Sequence, residues 1–147
     1  MSATPVCTHA NEDGFIYVLS GRLGAQVDEV TVEVGPCGVV LIPRGVKHTF
    51  WNPTATEAVA LEFFAPAGLE RWFAELAELV KEATPDIDAI VASARRHGTE
   101  LYLDSLPDLL GKYGLQARPQ RRAGCTLMAL SAMASNRETA ASAASAW

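Results

Sequence analysis

Over the first 65 residues, apolar positions come in short runs or alternate with polar ones, and turn residues separate them at close, even spacing. Val6-Cys7-Thr8-His9 reads as a short strand ending at the polar turn Ala10-Asn11-Glu12-Asp13-Gly14. Phe15–Leu19, rich in β-branched and aromatic residues and stopped by Ser20-Gly21, reads as the next. Leu23–Val27 and Val30–Val34 flank Asp28-Glu29 as a hairpin, with Val30, Val32 and Val34 on one face and Thr31 and Glu33 on the other. The turn Gly35-Pro36-Cys37-Gly38 leads to a strand over Val39–Ile42, Pro43-Arg44-Gly45 leads to one over His48–Asn52, and Ala58–Phe64 makes the last before Pro66. Such spacing predicts an antiparallel sandwich or barrel.

From Gly68 the period changes to 3.6. Leu69, Trp72, Phe73, Leu76, Leu79 and Val80 form one stripe, with Glu70, Arg71, Glu75, Glu78 and Lys81 largely opposite, which predicts a helix packed on the barrel. A second helix is expected with Thr84 as N-cap and Pro85 at its first position, burying Ile87, Ile90 and Val91 and stopping at Gly98. Ser105, with Asp108 three residues on, marks a third that ends near Gly114. Beyond Leu115 the chain turns to Arg118-Pro119-Gln120-Arg121-Arg122 and then to an Ala/Ser-rich tail, which offers little area to offset ordering entropy. The expected organisation is therefore mainly β: a barrel over 1–66, helices packed on it over 67–115, and a disordered or weakly helical tail over 116–147.

Composition narrows the partners. With 147 residues, 49% hydrophobic and 20% charged, the chain can bury a core without staples, and a net charge of -5 supplies no basic face for nucleic acid. Cys7, Cys37 and Cys125 are odd in number and widely spaced, as suits reduced thiols in the cytoplasm. No signal-peptide pattern opens the sequence, and the uncharged run 123–134 is shorter than a bilayer span, so no membrane association is expected. Phe15–Leu19 is apolar on both faces, so one face needs the barrel interior and the other a second subunit or the Leu69–Val80 helix; a homodimer is expected.

The candidate chemistry centres on Pro43–Asn52, a tight turn that delivers His48 onto the start of a strand. A ligand or acid/base role for His48 stands against a structural histidine bonded to backbone. Glu62, between Leu61 and Phe63, is either at a solvated edge or a pocket carboxylate with a raised pKa able to pair with His48 as acid and base. Phe50 and Asn52 alternate with His48, and Ile16 and Val18 share the face of Gly14; these four line a cavity or form ordinary core. His97 reads as a helix C-terminal cation next to Gly98.

Pro43-x-Gly45-x-x-His48-x-x-x-Asn52 resembles the second motif of the cupin superfamily, and Phe15–Gly21 resembles the strand that closes its first motif. The resemblance covers Val6 to about Leu79, including Pro66-Ala67-Gly68 and the amphipathic helix after it. It implies a single cupin, jelly-roll-like β-barrel holding one divalent metal with three histidines and a glutamate. Counted back from Gly21, the glutamate position falls at Gly14, the second histidine at His9 and the first at Cys7, so two of the four ligands differ. The opening glycine of the second motif falls at Cys37, and little chain precedes the first motif for the N-terminal strands many relatives use. The resemblance thus implies either no metal or one divalent ion on Cys7, His9 and His48, zinc being the ion that such a set fits. Left unliganded, Cys7 is a small core residue. The function it implies is small-molecule binding, and more specifically an enzyme doing acid/base work of isomerase or cyclase type on an apolar or aromatic metabolite, with His48 and Glu62 moving the proton. A quercetinase-like metal-dependent dioxygenase and a non-catalytic ligand-binding module are the alternatives.

Overall fold

The computed structural model describes residues 3–81, 85–115 and 143–146. Its strands are β1 Val6–His9, β2 Asp13–Ser20, β3 Leu23–Val27, β4 Val30–Val34, β5 Val39–Ile42, β6 His48–Trp51 and β7 Val59–Ala65, each within two residues of where the alternation predicts it. Helices α1 Glu70–Leu79, α2 Ile87–Arg96 and α3 Ser105–Lys112 follow, with β8 Thr99–Tyr102 between the last two and β9 Ala143–Ala146 beyond them. All pairings are antiparallel, in a five-stranded sheet of order β4-β3-β6-β1-β8 and a four-stranded sheet of order β5-β2-β7-β9.

The two sheets bury one core between them, built from Ile16 and Val18 on β2, Leu23 and Ala25 on β3, Val40 and Ile42 on β5, and Phe50 on β6. Each large side chain sealed there contributes roughly 1.5–3 kcal/mol of transfer free energy. A second core lies under the helices, where Leu69, Trp72, Phe73 and Leu76 meet Ala94 and Leu101. Phe64 joins the two layers, its ring 5.8 Å from that of Phe73.

Three local details differ from the sequence reading. Asp86 caps α2, its carboxylate accepting from the Ala89 N–H at 3.1 Å, while Thr84 lies outside the described residues. Asp104 stands at the N-cap of α3 without a side-chain cap bond, and Ser105 instead accepts from the Val6 N–H at 2.9 Å and donates to the Tyr102 carbonyl, tying the helix to β1. The segment after Pro66 also supplies β8, which the reading lacks: four residues between two helices are too few for an alternation to stand out. The expectation for 116–147 lies outside the described residues except at β9, which pairs with β7.

Outside the five-stranded sheet, Tyr113 stacks on Trp51 with ring centroids 3.9 Å apart and donates its hydroxyl to Gln26 Oε1 at 3.0 Å. Gly24, opposite Trp51 in the β3–β6 register, leaves the room the indole occupies. His97 ends α2 with Nε2 2.9 Å from Glu75 Oε2, tying it to α1. The outer face of the four-stranded sheet is not covered by helix α1, and Phe15, Leu19, Val39 and Leu41 are exposed on it. Among the described residues, no helix is long and apolar enough to cross a membrane.

Candidate metal centre

The turn before β6 is built from its own residues and pinned to its neighbours. The Val46 N–H donates to the Pro43 carbonyl at 3.2 Å, and Gly45 has φ +75°, the left-handed third position that a type II turn requires. Asp13 accepts from the Arg44 backbone N–H at 2.8 Å and from its guanidinium at 2.7 Å, and the Gly45 N–H donates to the His9 carbonyl at 2.7 Å. The guanidinium beside Asp13 holds that carboxyl down to about 2, so the tie is ionic at any physiological pH. The turn is thereby held against both β1 and β2.

His48 follows with its Nδ1 3.0 Å from the Val46 carbonyl. A carbonyl only accepts, so Nδ1 carries the proton and Nε2 presents its lone pair. Cys7 stands directly across the β1–β6 pair, with Sγ 3.3 Å from that nitrogen. His9, two residues along β1 and therefore on the same face, brings its ring centroid to 5.0 Å from that of His48. Its Nδ1 lies 3.0 Å from Thr99 Oγ1, which leaves Nε2 for the cluster. One donor atom from each of Cys7, His9 and His48 lies within 4.8 Å of the others.

Burial sets the charge state. It pushes the Cys7 thiol up to about 12, with the charge of Glu62 adding to it, and pulls His9 down to about 3, with His48 adding to it. His48 is lowered by burial against the raising effect of its bond to Val46. At neutral pH the trio is a thiol and two neutral imidazoles, with S–H donating to Nε2. The set fits a divalent ion on its own chemistry: the Nε2 of each ring faces the cluster, each ring is steadied through its other nitrogen, and a bound ion displaces the thiol proton. One sulfur and two nitrogens suit zinc best.

The glutamate position is tight. A Cβ on Gly14 would stand 3.3 Å from Ile42 Cβ and 3.6 Å from the Phe64 ring, so a side chain there starts in a crowded space in which Ile42 has to give way. The neighbouring acids do not replace the missing carboxylate. Asp13 is held by Arg44, and Glu12, buried against Gly68, is pushed up by burial and then by Glu70. The carboxylate that does reach the interior is Glu62, half-buried and opposite inward-facing Ile16 in the β2–β7 register, raised by burial to about 7. Its expected bond to His48 is not among the hydrogen bonds of the described residues, but its charge is felt by Cys7.

The other sequence candidates fall elsewhere. Ile16, Val18 and Phe50 belong to the packed core, and Asn52 accepts from Thr54 N at 2.9 Å and donates to the Thr56 carbonyl at 2.7 Å, closing its own loop. A cavity of about 330 Å³ borders His48 on the other side of the sheet, lined by Asp28, Glu29, Lys47, Tyr102 and Asp108 among others. Lys47 Nζ lies 4.5 Å above the Tyr102 ring. The reading missed Thr99, Val46 and Phe64, whose ring meets His9 edge-on at 5.6 Å. Thr99 lies in a four-residue strand too short to show a period, and a carbonyl leaves no sequence signal at all.

Residues 2–64 match the family model Cupin_2, a cupin domain, and this part of the chain is a cupin-2 type domain. Among solved structures, the chain is similar to protein TT1209 of Thermus thermophilus, at 29% identity and a TM-score of 0.43 over 44% of this chain and 62% of that one. It is similar also to the Cnp3 cupin domain of Schizosaccharomyces pombe, at 21% identity and a TM-score of 0.36 over 42% and 43% of the two chains. A third is a cupin-superfamily sugar phosphate isomerase from Silicibacter pomeroyi, at 19% identity and a TM-score of 0.35 over 44% and 49%. The chain thus spans less than two thirds of each of these structures. Comparison with curated proteins found no match.

Proposed function

We propose that this chain is a small-molecule-binding cupin whose Cys7, His9 and His48 hold one divalent ion, zinc by donor chemistry, and that it performs non-oxidative acid/base chemistry of the isomerase or cyclase type. The observation that carries the reading is the close, inward-facing sulfur and two imidazoles beside a carboxyl poised near neutrality. A bound ion supplies Lewis acidity toward a substrate oxygen. Glu62, near half ionisation at neutral pH, gives or takes the proton. The side chains that share the interior with these donors, Ile16, Val18 and Phe50, suit an apolar or aromatic metabolite, while the polar cavity that borders His48 lies across the sheet from them. A quercetinase-like oxidation needs a redox-active ion, which a set with a thiolate and without the usual carboxylate favours less. Elemental analysis of the full chain purified without added metal tests the reading. Near-stoichiometric zinc is expected; iron, manganese or nickel would shift it to the dioxygenase, and protein that takes up no zinc on titration would end it.

The exposed face of the four-stranded sheet is proposed as the seat of a second copy. Its cross-strand rows Leu41-Phe15-Phe63 and Val39-Tyr17-Leu61 carry no charge to select a charged partner, and a two-fold axis matches such a face to itself. Three strands across by the eight residues of β2 measure roughly 15 by 27 Å, about 400 Å² per copy, a small footprint that makes a weak dimer. Sedimentation at micromolar concentration showing monomer alone would rule it out.

A further inference from the structure

β8 is the outer strand of the five-stranded sheet next to β1, and it comes from beyond the residues that match the cupin domain. All four residues of β1 pair with it, and in that register His9 stands directly opposite Thr99. Thr99 is 1% exposed, and its hydroxyl is the partner of His9 Nδ1 at 3.0 Å.

We infer that Thr99 is the positioning residue that sets His9 for metal binding, so that the C-terminal half of the chain completes a centre whose donors all lie in the N-terminal half. This rests on the metal reading above.

A neutral imidazole offers Nε2 to an ion only with its proton on Nδ1, and a proton buried there needs an acceptor. For His48 the acceptor is a carbonyl, and the tautomer has no alternative. For His9 it is a hydroxyl, which both donates and accepts. The ring is therefore free to hold either tautomer until Nε2 is engaged, after which Nδ1–H donates to Thr99 Oγ1. The helices bring the hydroxyl there: α2 ends at His97, Gly98 turns the chain with φ +75° while its carbonyl accepts from the Ala10 N–H at 2.8 Å, and Thr99 enters β8 immediately after. That anchor sits one residue from His9 on β1 and one from Thr99 on β8. It fixes the two side chains against each other before any ion arrives.

Cobalt(II) titration of the full chain, followed by its thiolate-to-cobalt absorption, tests the inference. Thr99→Val removes the hydroxyl at nearly constant volume and should weaken cobalt binding about 10- to 100-fold, the usual effect of losing an outer partner of a ligating histidine. Thr99→Ser keeps the hydroxyl and should bind as the wild type does. Equal affinity for wild type and Thr99→Val would overturn the inference while leaving the metal reading standing, and equal losses in the Ser and Val variants would overturn it by making the methyl group the cause. A wild type with no thiolate band would remove the metal reading itself. A readout that needs no variant is the imidazole nitrogen NMR spectrum of the zinc-loaded chain. His9 protonated on Nδ1 is expected, and protonation on Nε2 would overturn the inference even if every variant misfolds.

Discussion

Cys7 and His48 face each other across the β1–β6 pair, with the sulfur 3.3 Å from Nε2. The family pattern has an imidazole where Cys7 stands, and a thiol kept protonated up to about 12 binds an ion only by giving up its proton. Cys7→Ser should therefore lose zinc by more than the roughly 100-fold at which outer-partner effects stop, because an alcohol does not ionise in its place. His48→Ala should lose it too. Exposed Cys37 is the control, and Cys37→Ser should retain zinc in the same elemental analysis.

Restoring the family's glutamate should not restore the family's site. A Cβ on Gly14 already stands 3.3 Å from Ile42 Cβ, so Gly14→Glu is expected to press its longer side chain on Ile42 and Phe64. Overpacking of this kind costs about 1–3 kcal/mol. Urea unfolding should register that loss, and metal titration should show no tighter binding; a stable, tighter-binding variant would mean that the pocket opens more easily than its packing implies.

Glu62 predicts a pH dependence. Its folded pKa is about 7 against an ordinary 4.5, so the folded chain holds that proton more tightly than the unfolded one. The stability it contributes is complete below about pH 4.5 and is lost as the pH climbs toward 7. Glu62→Gln removes the titration. Discounted for partial exposure, the metal-free variant should exceed the wild type by about 1–2 kcal/mol at pH 8 and match it near pH 4, read by urea unfolding. Equal slopes for the two proteins between those limits would show that Glu62 titrates as a solvated carboxylate.

Leu41, 60% exposed on edge strand β5 at one end of the Leu41-Phe15-Phe63 row, tests the proposed self-association. Leu41→Asp puts a charge on the apolar face of each copy and should shift sedimentation from dimer to monomer, with cobalt affinity unchanged. An unaltered dimer would move the interface elsewhere.

Most of the barrel was legible because a two-residue period and a turn every few residues leave few alternatives for a chain of this length. Val6–His9, the Leu23–Val34 hairpin and the Pro43 turn each carry their own local cause. The helical caps were read less well. Ser105 resembles a capping residue but spends its hydroxyl on Val6 and Tyr102, partners 99 and 3 residues away in sequence.

The candidate site divides along the same line. The sequence by itself determined that Cys7 and His9 share one face of a strand and that a Pro-Gly turn sends His48 onto another, because alternation and turn chemistry act over a few residues. Only the tertiary structure decided that those faces meet within 4.8 Å, that Ile42 and Phe64 crowd the space beside Gly14, and that Thr99 arrives opposite His9. Those facts depend on strand order and on which side chains fill a shared interior, and both are set by packing between residues up to 90 positions apart. Local pattern places a donor on a strand; the pairing of distant strands decides what stands beside it.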